Sequence, residues 1–251
     1  TPCEHSFPTR RSSDLDCRIV WGGNETIKSI RSMPIMERTV EVVFADRYSI
    51  CIIDSNSILE TSEKELGRLS EQFYNDSYLM DQNACSTPYL VLWYGENDED
   101  KKKAKKIFWQ SIYKCAKKYD LSEIKVMDKY TQLCKNGIDF KGIDNITRYD
   151  NLLYVVTLKD LSVGDDKLRG RFGLFYEYDM NDLSFITSFI DKKTQTLSYF
   201  GMDKNELVKF VIDNSLLGID RIVPIGSALD INVIWDGYDI ISTLSRIIEV
   251  K

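Results

Sequence analysis

The chain has 251 residues, of which 43% are hydrophobic and 29% are charged, and its formal net charge is −6. This apolar content is enough for one sizeable core or two modest domains, so a globular fold is expected and a disordered chain is excluded. The acidic balance argues against nonspecific binding to nucleic acid or to anionic lipid, and we expect neither as a partner.

Residues 1 to 15, TPCEHSFPTRRSSDL, show no apolar period and contain two prolines and a basic, serine-rich cluster. The run is similar to translated sequencing-adapter read-through, and we interpret residues 1–15 as a non-native extension outside the fold. It holds the single histidine of the chain, His5. Without imidazole in the fold, Cys–His and Ser–His–Asp nucleophile activation and multi-histidine metal sites are excluded, and we expect no metal.

The first predicted elements are a short strand and a helix joined by a glycine turn. Apolar residues from Cys17 to Trp21 predict the strand, Gly22 and Gly23 the turn, and an amphipathic run up to Met33 the helix. The backbone N–H groups at such a helix N-terminus can bind a phosphate group. Two adjacent glycines are also ordinary turn residues, so this pattern alone leaves both interpretations open.

The middle of the chain alternates strands with helices. The segment TVEVVFADRYSICIID, from Thr39, predicts two buried strands, and SNSILETSEKELGRLSEQFY predicts one helix capped by Thr61 or Ser62. YLVLWYG predicts another buried strand, followed by a long helix through Lys118. This alternation is typical of the α/β class.

In the last half, residues 121–149 are polar and contain two glycines, which predicts a short helix and an irregular connection. Strands are predicted for LLYVVTL, FGLFYEYD, TQTLSYFG and RIVPIG, and helices for residues 183–189 and 204–213. No stretch reaches the roughly 20 uninterrupted apolar residues of a membrane helix. Residues 1–30 also lack the basic and apolar order of a secretory signal, so we expect no membrane span and a cytoplasmic location.

Cys85 is the strongest candidate for chemistry. The six cysteines are widely spaced without a CxxC pair, which indicates free thiols in a reducing compartment. Cys85 lies in the loop QNACSTP between a predicted helix and a strongly apolar strand. Small neighbours leave room for a substrate, and loop N–H groups can stabilise a thiolate or an oxyanion. The alternative is a buried structural cysteine, which is the commoner role of a lone thiol.

Several segments resemble one protein family. QNACSTPYLVLW resembles the catalytic-cysteine segment of aldehyde dehydrogenases, with a Gln–x–x–Cys turn before a buried strand. WGGNETI, ERTVEVVFADRYSICIID, QTLSYFG and GIDRIVPIGSALDINVIWDGYDII are similar, in wording and in order, to acyl-CoA reductases and to the long-chain acyl-protein thioester reductase (fatty acid reductase) of the bacterial luciferase system. The resemblance extends from Arg18 to the C-terminus.

The resemblance implies an α/β, aldehyde-dehydrogenase-like fold, with a three-layer α/β/α catalytic domain and a remnant of the Rossmann-type cofactor domain. The expected boundaries are 16–43 for the C-terminal remnant of the nicotinamide-binding domain, 44–238 for the catalytic cysteine domain and 239–251 for a tail that serves oligomerisation. The chain is then expected to be truncated at its N-terminus. A homo-oligomer is implied for the full-length protein.

The implied activity is NADPH-dependent reduction of long-chain fatty acyl thioesters, either acyl-CoA or acyl-protein, to fatty aldehydes, with NADH as an alternative cofactor. Cys85 matches the nucleophile that forms the acyl-enzyme, and Asn83 and the backbone N–H of Cys85 are the candidate oxyanion donors. Acyl-transferase or synthetase subunits are the implied partners. A role in luminescence is part of the resemblance.

The resemblance also assigns cofactor contacts. Gly22 and Gly23 match the turn whose helix N-terminus faces the cofactor pyrophosphate. Phe172 matches a Glu–x–Phe–Gly segment beside the nicotinamide ribose, but Gly170 replaces the glutamate of that segment.

A second departure concerns the water-activating base of hydrolytic aldehyde dehydrogenases. Val43 takes the position of that glutamate, and Glu41 is the nearest carboxylate. Passing an acyl group between thiols requires no such base, so the difference favours a reductase. Two alternatives remain: a hydrolytic NAD(P)-dependent aldehyde dehydrogenase with Glu41 as base, and a noncatalytic oligomerisation module.

Overall fold

The protein is described by a computed structural model that covers residues 15–161 and 169–251. The described residues form two compact units, one of residues 15–46 and 231–251, and one of residues 47–161 and 169–230. The larger unit thus starts near the predicted catalytic-domain boundary at 44 and ends before the predicted boundary at 238. The predicted extension lies almost wholly outside the described residues.

The smaller unit contains two parallel strands and a hairpin. Strands β1 (Cys17–Trp21) and β2 (Val40–Phe44) pair in parallel, and helix α1 (Asn24–Arg31) connects them. Near the C-terminus, β10 (Ile234–Trp235) and β11 (Tyr238–Asp239) form a hairpin that is followed by α7 (Ile240–Leu244). Its two-residue turn has positive φ at both positions, as a right-twisted hairpin prefers.

The larger unit is built on a seven-stranded sheet with the order β5-β6-β7-β4-β3-β8-β9. All neighbours pair in parallel except β5 and β6, which are antiparallel. Its central strands are almost continuously buried, as expected of a parallel sheet covered on both faces. The strands are β3 (Tyr48–Asp54), β4 (Pro88–Tyr94), β5 (Ile143–Tyr149), β6 (Leu153–Leu158), β7 (Leu174–Met180), β8 (Thr194–Phe200) and β9 (Arg221–Pro224).

Helices cover both faces of this sheet, so the predicted three-layer α/β/α arrangement is confirmed. On one face, α2 (Ser55–Glu60), α3 (Glu63–Ser77) and α4 (Asp98–Ala116) enclose an aromatic core. On the other, α5 (Glu123–Asp139), α6 (Lys204–Asp213) and a 3-10 helix (Leu183–Ser188) bury Leu133, Leu207 and Ile186. The predicted helix at 204–213 and the strand at 17–21 have the observed bounds.

Two sequence predictions about these elements were wrong. The segment from Ser55 forms two helices, because Ser62 starts a new helix through a capping box with Glu65. Residues 121–149 form a 17-residue helix and an edge strand instead of a short helix and a loop. Gly137 lies within that helix with open space around it, so this glycine does not interrupt the element. The edge strand is mostly exposed and therefore lacks an apolar pattern.

None of the helices in residues 15–161 and 169–251 is both long enough and apolar enough to cross a membrane.

Candidate active site

The candidate site lies at the amino edge of the large sheet. Strands β3, β4, β7 and β8 run in parallel, so their first residues share one edge. Cys85 precedes β4, Ser49 is the second residue of β3, Gly173 precedes β7, and Gln195 is the second residue of β8. The topology therefore brings together four segments that are far apart in the sequence.

Cys85 is half-buried, and both its backbone and its thiol are held. Ser49 Oγ donates to the carbonyl oxygen of Cys85 at 2.7 Å and accepts from the backbone N–H of Thr196 at 3.1 Å. The Nε2 group of Gln195 donates to Cys85 Sγ at 3.3 Å. Because a hydrogen bond donated to sulfur favours the negatively charged form, this contact favours the thiolate.

Gln82 ties the Cys85 loop to the segment before β7. Its Oε1 accepts from the backbone N–H of Gly173 at 3.1 Å, and its Nε2 donates to the carbonyl oxygen of Leu174 at 2.9 Å. The backbone N–H of Phe172 donates to the carbonyl oxygen of Asp81 at 3.2 Å. Gln82 has φ 62°, a conformation that non-glycine residues rarely adopt, so these contacts hold the turn in place.

The glycines at 170 and 173 allow this close approach of two backbones. A Cβ on Gly170 would lie 1.6 Å from the carbonyl oxygen of Leu174, and one on Gly173, which has φ +85°, would lie 2.3 Å from that of Leu152. No side chain fits at either position without moving the backbone. The packing thus explains why glycine, and not glutamate, stands at position 170.

Phe172 itself is buried, and its carbonyl oxygen accepts from Lys129 Nζ at 2.9 Å. Lys129 also donates to the carbonyl oxygen of Asn151, and its Nζ lies 4.5 Å from the ring centroid of Tyr154. Burial, reinforced by the charge of Arg148, lowers the pKa of Lys129 to about 7. Lys129 therefore holds the Phe172 segment through its backbone carbonyl group.

The C-terminal end of the Cys85 loop is anchored to α3. Thr87 Oγ1 donates to the carbonyl oxygen of Asp76 at 2.7 Å. The Asp76 carboxylate accepts from the backbone N–H groups of Gly226 and Ala228 at 2.6 and 3.0 Å, and burial raises its pKa to about 6. The turn after β9 and the Cys85 loop thus share one support.

Asn83 is exposed, and its backbone N–H donates to the carbonyl oxygen of Met80 at 2.9 Å. Its side chain makes no hydrogen bond to the described residues, so its predicted role as an oxyanion donor remains a prediction.

Glu41 lies on β2 in the smaller unit, where two arginines bind it. Arg18 Nη2 lies 2.6 Å from Glu41 Oε2, and Arg31 Nε lies 2.8 Å from Glu41 Oε1. The hydrogen bond from Arg18 lowers the pKa of Glu41, with Arg31 acting in the same direction. A carboxylate held as an anion by two cations has little tendency to accept a proton.

Gly22 and Gly23 precede α1, as predicted. Gly23 is the N-cap and provides no side-chain cap, so the first N–H groups of α1 have no side-chain acceptor at this position. A Cβ on Gly23 would meet nothing within 4 Å, whereas one on Gly22 would lie 3.3 Å from Thr26 Cγ2. The open space and the unoccupied cap position fit the approach of a phosphate group. Within the described ranges, no cluster of three or more His, Cys, Asp or Glu side chains is arranged to hold a metal ion.

Comparison with protein-family profiles identifies residues 4–247 as matching the family described as acyl-CoA reductase (LuxC). The chain belongs to the LuxC acyl-CoA reductase family. A search of curated protein sequences finds no match at the significance required.

Solved structures confirm the aldehyde-dehydrogenase-like fold. Aldehyde dehydrogenase 21 from Physcomitrella patens is 10% identical with a TM-score of 0.57, covering 87% of this chain and 46% of its own. The bifunctional proline utilization A protein is 11% identical with a TM-score of 0.58, and the match covers 89% of this chain and 23% of that protein. The 1-pyrroline-5-carboxylate dehydrogenase from Thermus, solved with bound NAD, is 10% identical with a TM-score of 0.52, covering 87% and 45%. The chain therefore spans less than half the length of each of these three proteins.

The sequence analysis missed the roles of Gln195 and Lys129 in this acyl-CoA reductase family protein. Gln195 lies in the quoted segment TQTLSYFG, but only the pairing of β8 with β3 brings it to the thiol of Cys85. Lys129 is four residues before Leu133 on the buried face of α5, a spacing that identifies an inward-facing position once the helix is recognised.

Proposed function

We propose that Cys85 is the nucleophile of an NADPH-dependent reduction of long-chain fatty acyl thioesters, either acyl-CoA or acyl-protein, to fatty aldehydes. The main support is the hydrogen bond from Gln195 Nε2 to the sulfur of a half-buried cysteine in an anchored loop. Membership of the acyl-CoA reductase family supports the thioester substrate.

In the first step, the Cys85 thiolate attacks the carbonyl carbon of the thioester and a tetrahedral oxyanion forms. The new carbon–sulfur bond remains while the bond to the donor thiol breaks, and the donor leaves as a thiolate that takes a proton from solvent. The backbone N–H of Cys85 and the side-chain amide of Asn83 are the proposed oxyanion donors. Gln195 and Ser49 hold the nucleophile in position during this exchange.

A nicotinamide cofactor is implied by the family, and the open turn at Gly22 and Gly23 fits a phosphate group of such a cofactor. The first turn of α1 after Gly22 and Gly23 would bind the pyrophosphate, and the segment at Phe172 would lie beside the nicotinamide ribose. When bound, the reduced cofactor supplies the hydride that, with one proton, converts the Cys85 thioester to aldehyde and free thiol. We propose NADPH as the cofactor, with NADH as the alternative.

The same proposal includes the cellular context. A long-chain acyl donor, acyl-transferase or synthetase partner subunits, a cytoplasmic location and a link to luminescence follow from the family resemblance. Glu41 has no role as a base in this mechanism, because acyl transfer between thiols requires no activated water.

Acylation of the chain with a long-chain acyl-CoA tests the proposal. After incubation with palmitoyl-CoA, peptide mass spectrometry should find the acyl adduct on Cys85. Cys115 is the internal control, because it is also half-buried but hydrogen-bonds to a carboxylate. The Cys85→Ser variant should lose the adduct and keep the modest background at the other thiols. Equal acylation of Cys85 and Cys115 would contradict the proposal.

A further inference from the structure

Helix α5 has an exposed apolar stripe on the side opposite its buried face. The stripe consists of Ile124, Met127, Thr131, Cys134 and Ile138, which we call the α5 stripe. Ile124, Met127 and Ile138 expose 75%, 62% and 81% of their surface, and Cys134 and Thr131 are also exposed.

The residue spacing of the α5 stripe is three, four, three and four. This is the heptad spacing with which one helix packs along another. The helix already buries its other side, through Lys129, Leu133 and Asn136, against the large sheet unit. One helix with apolar residues on both sides is expected to have a second neighbour, because single exposed apolar side chains are common but a contiguous stripe is not.

The charges beside the α5 stripe indicate what this neighbour is. Asp128 and Lys135 are exposed and lie on the same flank of the stripe, seven residues apart. Neither takes part in an ion pair within the described part of the chain. Tyr130, on the other flank, is exposed and uncharged.

Two copies of α5 packed in antiparallel would bring this flank of one copy against the same flank of the other. Asp128 of each copy then faces Lys135 of the other, which gives two equivalent ion pairs across a two-fold axis. In that register Met127 of one copy packs on Ile138 of the other, and Thr131 of one copy packs on Cys134 of the other. The two-fold axis repeats each contact once. In a parallel pair, Asp128 would instead lie beside Glu123 of the other copy, which is a like charge, and Lys135 beside the uncharged Tyr130.

We propose that the α5 stripe is a self-association surface, on which two copies of this chain pack their α5 helices in antiparallel. This surface is separate from the C-terminal tail for which oligomerisation was predicted. The proposal is independent of the chemistry assigned to Cys85.

Charge reversal and charge exchange test whether the partner is a second copy of this chain and whether the two α5 helices run antiparallel. The dissociation constant of the dimer is measured by analytical ultracentrifugation over a range of protein concentrations. Asp128→Lys and Lys135→Asp should each weaken association roughly tenfold or more, because each places like charges opposite one another twice. The double variant, with both substitutions, should restore association to near the wild-type value. Lys102→Asp, which makes the same charge change at an exposed position of α4, is the matched control and should have no effect.

A wild-type chain that stays monomeric at high concentration would overturn the proposal. So would a double variant as weak as the single ones, since that result means that the stripe faces something other than a second copy. Circular dichroism of each variant shows whether α5 remains folded, and Ile138→Glu, which removes apolar contact without touching Asp128 or Lys135, should weaken association in the same assay.

Discussion

Cys85 and Cys115 are both half-buried, but the thiol of Cys85 accepts a hydrogen bond whereas that of Cys115 donates one. Cys115, on α4, donates to the Glu71 carboxylate at 3.4 Å, and burial together with that contact raises its pKa to about 11. Cys85, in the loop before β4, accepts from the amide of Gln195 at 3.3 Å. Exposure alone therefore does not identify a nucleophile, because the hydrogen-bond partner of the thiol also affects which form of the thiol is favoured.

The two thiols also differ in how their backbones are supported. Cys115 is in the last turn of a regular helix. The Cys85 loop has positive φ at Asp81 and Gln82 and is held by hydrogen bonds to other segments, through the side chains of Ser49 and Gln82. A loop held in this way can present a reactive atom in a fixed position, which an unsupported loop does not do.

The largest expected effect comes from removing the main support of this loop. Gln82→Ala leaves the N–H of Gly173 and the carbonyl of Leu174 without their side-chain partner, in a buried place. Unpaired buried polar groups cost about 1–3 kcal/mol each, so for these two groups we expect the free energy of unfolding to fall by roughly 2–6 kcal/mol. Urea denaturation measures this loss.

The matched control for Gln82 is Gln110→Ala, which removes the same side chain from an exposed position on α4. Its stability should change by less than about 0.5 kcal/mol. A Gln82→Ala variant as stable as this control would show that the loop does not depend on the two hydrogen bonds.

A second change removes the difference between the two thiols directly. Gln195→Leu deletes the donor to Cys85 Sγ while retaining a side chain of similar size, and we expect alkylation of Cys85 by iodoacetamide to slow by roughly tenfold at pH 8. The rate at Cys115 in the same sample should stay constant. Equal slowing at both cysteines would indicate a general change in the fold and not the loss of one hydrogen bond.

The smallest effect is expected at Cys115. Glu71→Gln removes the negative charge beside its thiol, which lowers the pKa of Cys115 from about 11 towards the ordinary value. Since only the thiolate reacts, alkylation of Cys115 at pH 8 should accelerate by roughly threefold. In the unmodified chain, its rate should rise about tenfold per pH unit until the pH approaches 11. An alkylation rate that no longer rises above pH 9 would contradict the raised pKa of Cys115.

The sequence was informative where a pattern is local. Strand β1 and helix α6 have the predicted bounds, because both are apolar or amphipathic runs with clear ends. Cys85 was selected as a candidate because its small-residue loop precedes a strongly apolar strand and resembles the catalytic-cysteine segment of aldehyde dehydrogenases. The α/β class followed from the alternation of strands and helices, and the three-layer arrangement was implied by the family resemblance.

The contacts that organise the site are not local, and the sequence does not reveal them. Gln195 reaches Cys85 only because β8 pairs with β3, and no pattern in the segment indicates that pairing. Strand β5 was missed because an exposed edge strand lacks apolar alternation. Gly170 was recognised as a departure from the family pattern, but its cause is a backbone contact with Leu174 that only the fold shows.

The most direct test of Cys85 as the acyl acceptor is a competition between thiols in the folded and the unfolded chain. Palmitoyl-CoA is added to the chain in buffer and in 8 M urea (about the concentration that unfolds most domains), and the initial rates of acylation at Cys85 and Cys115 are read from the same spectra. In buffer Cys85 should react at least about tenfold faster than Cys115, and in urea the two rates should become equal. A folded chain in which Cys115 reacts as fast as Cys85 would contradict the assignment of Cys85 as the nucleophile.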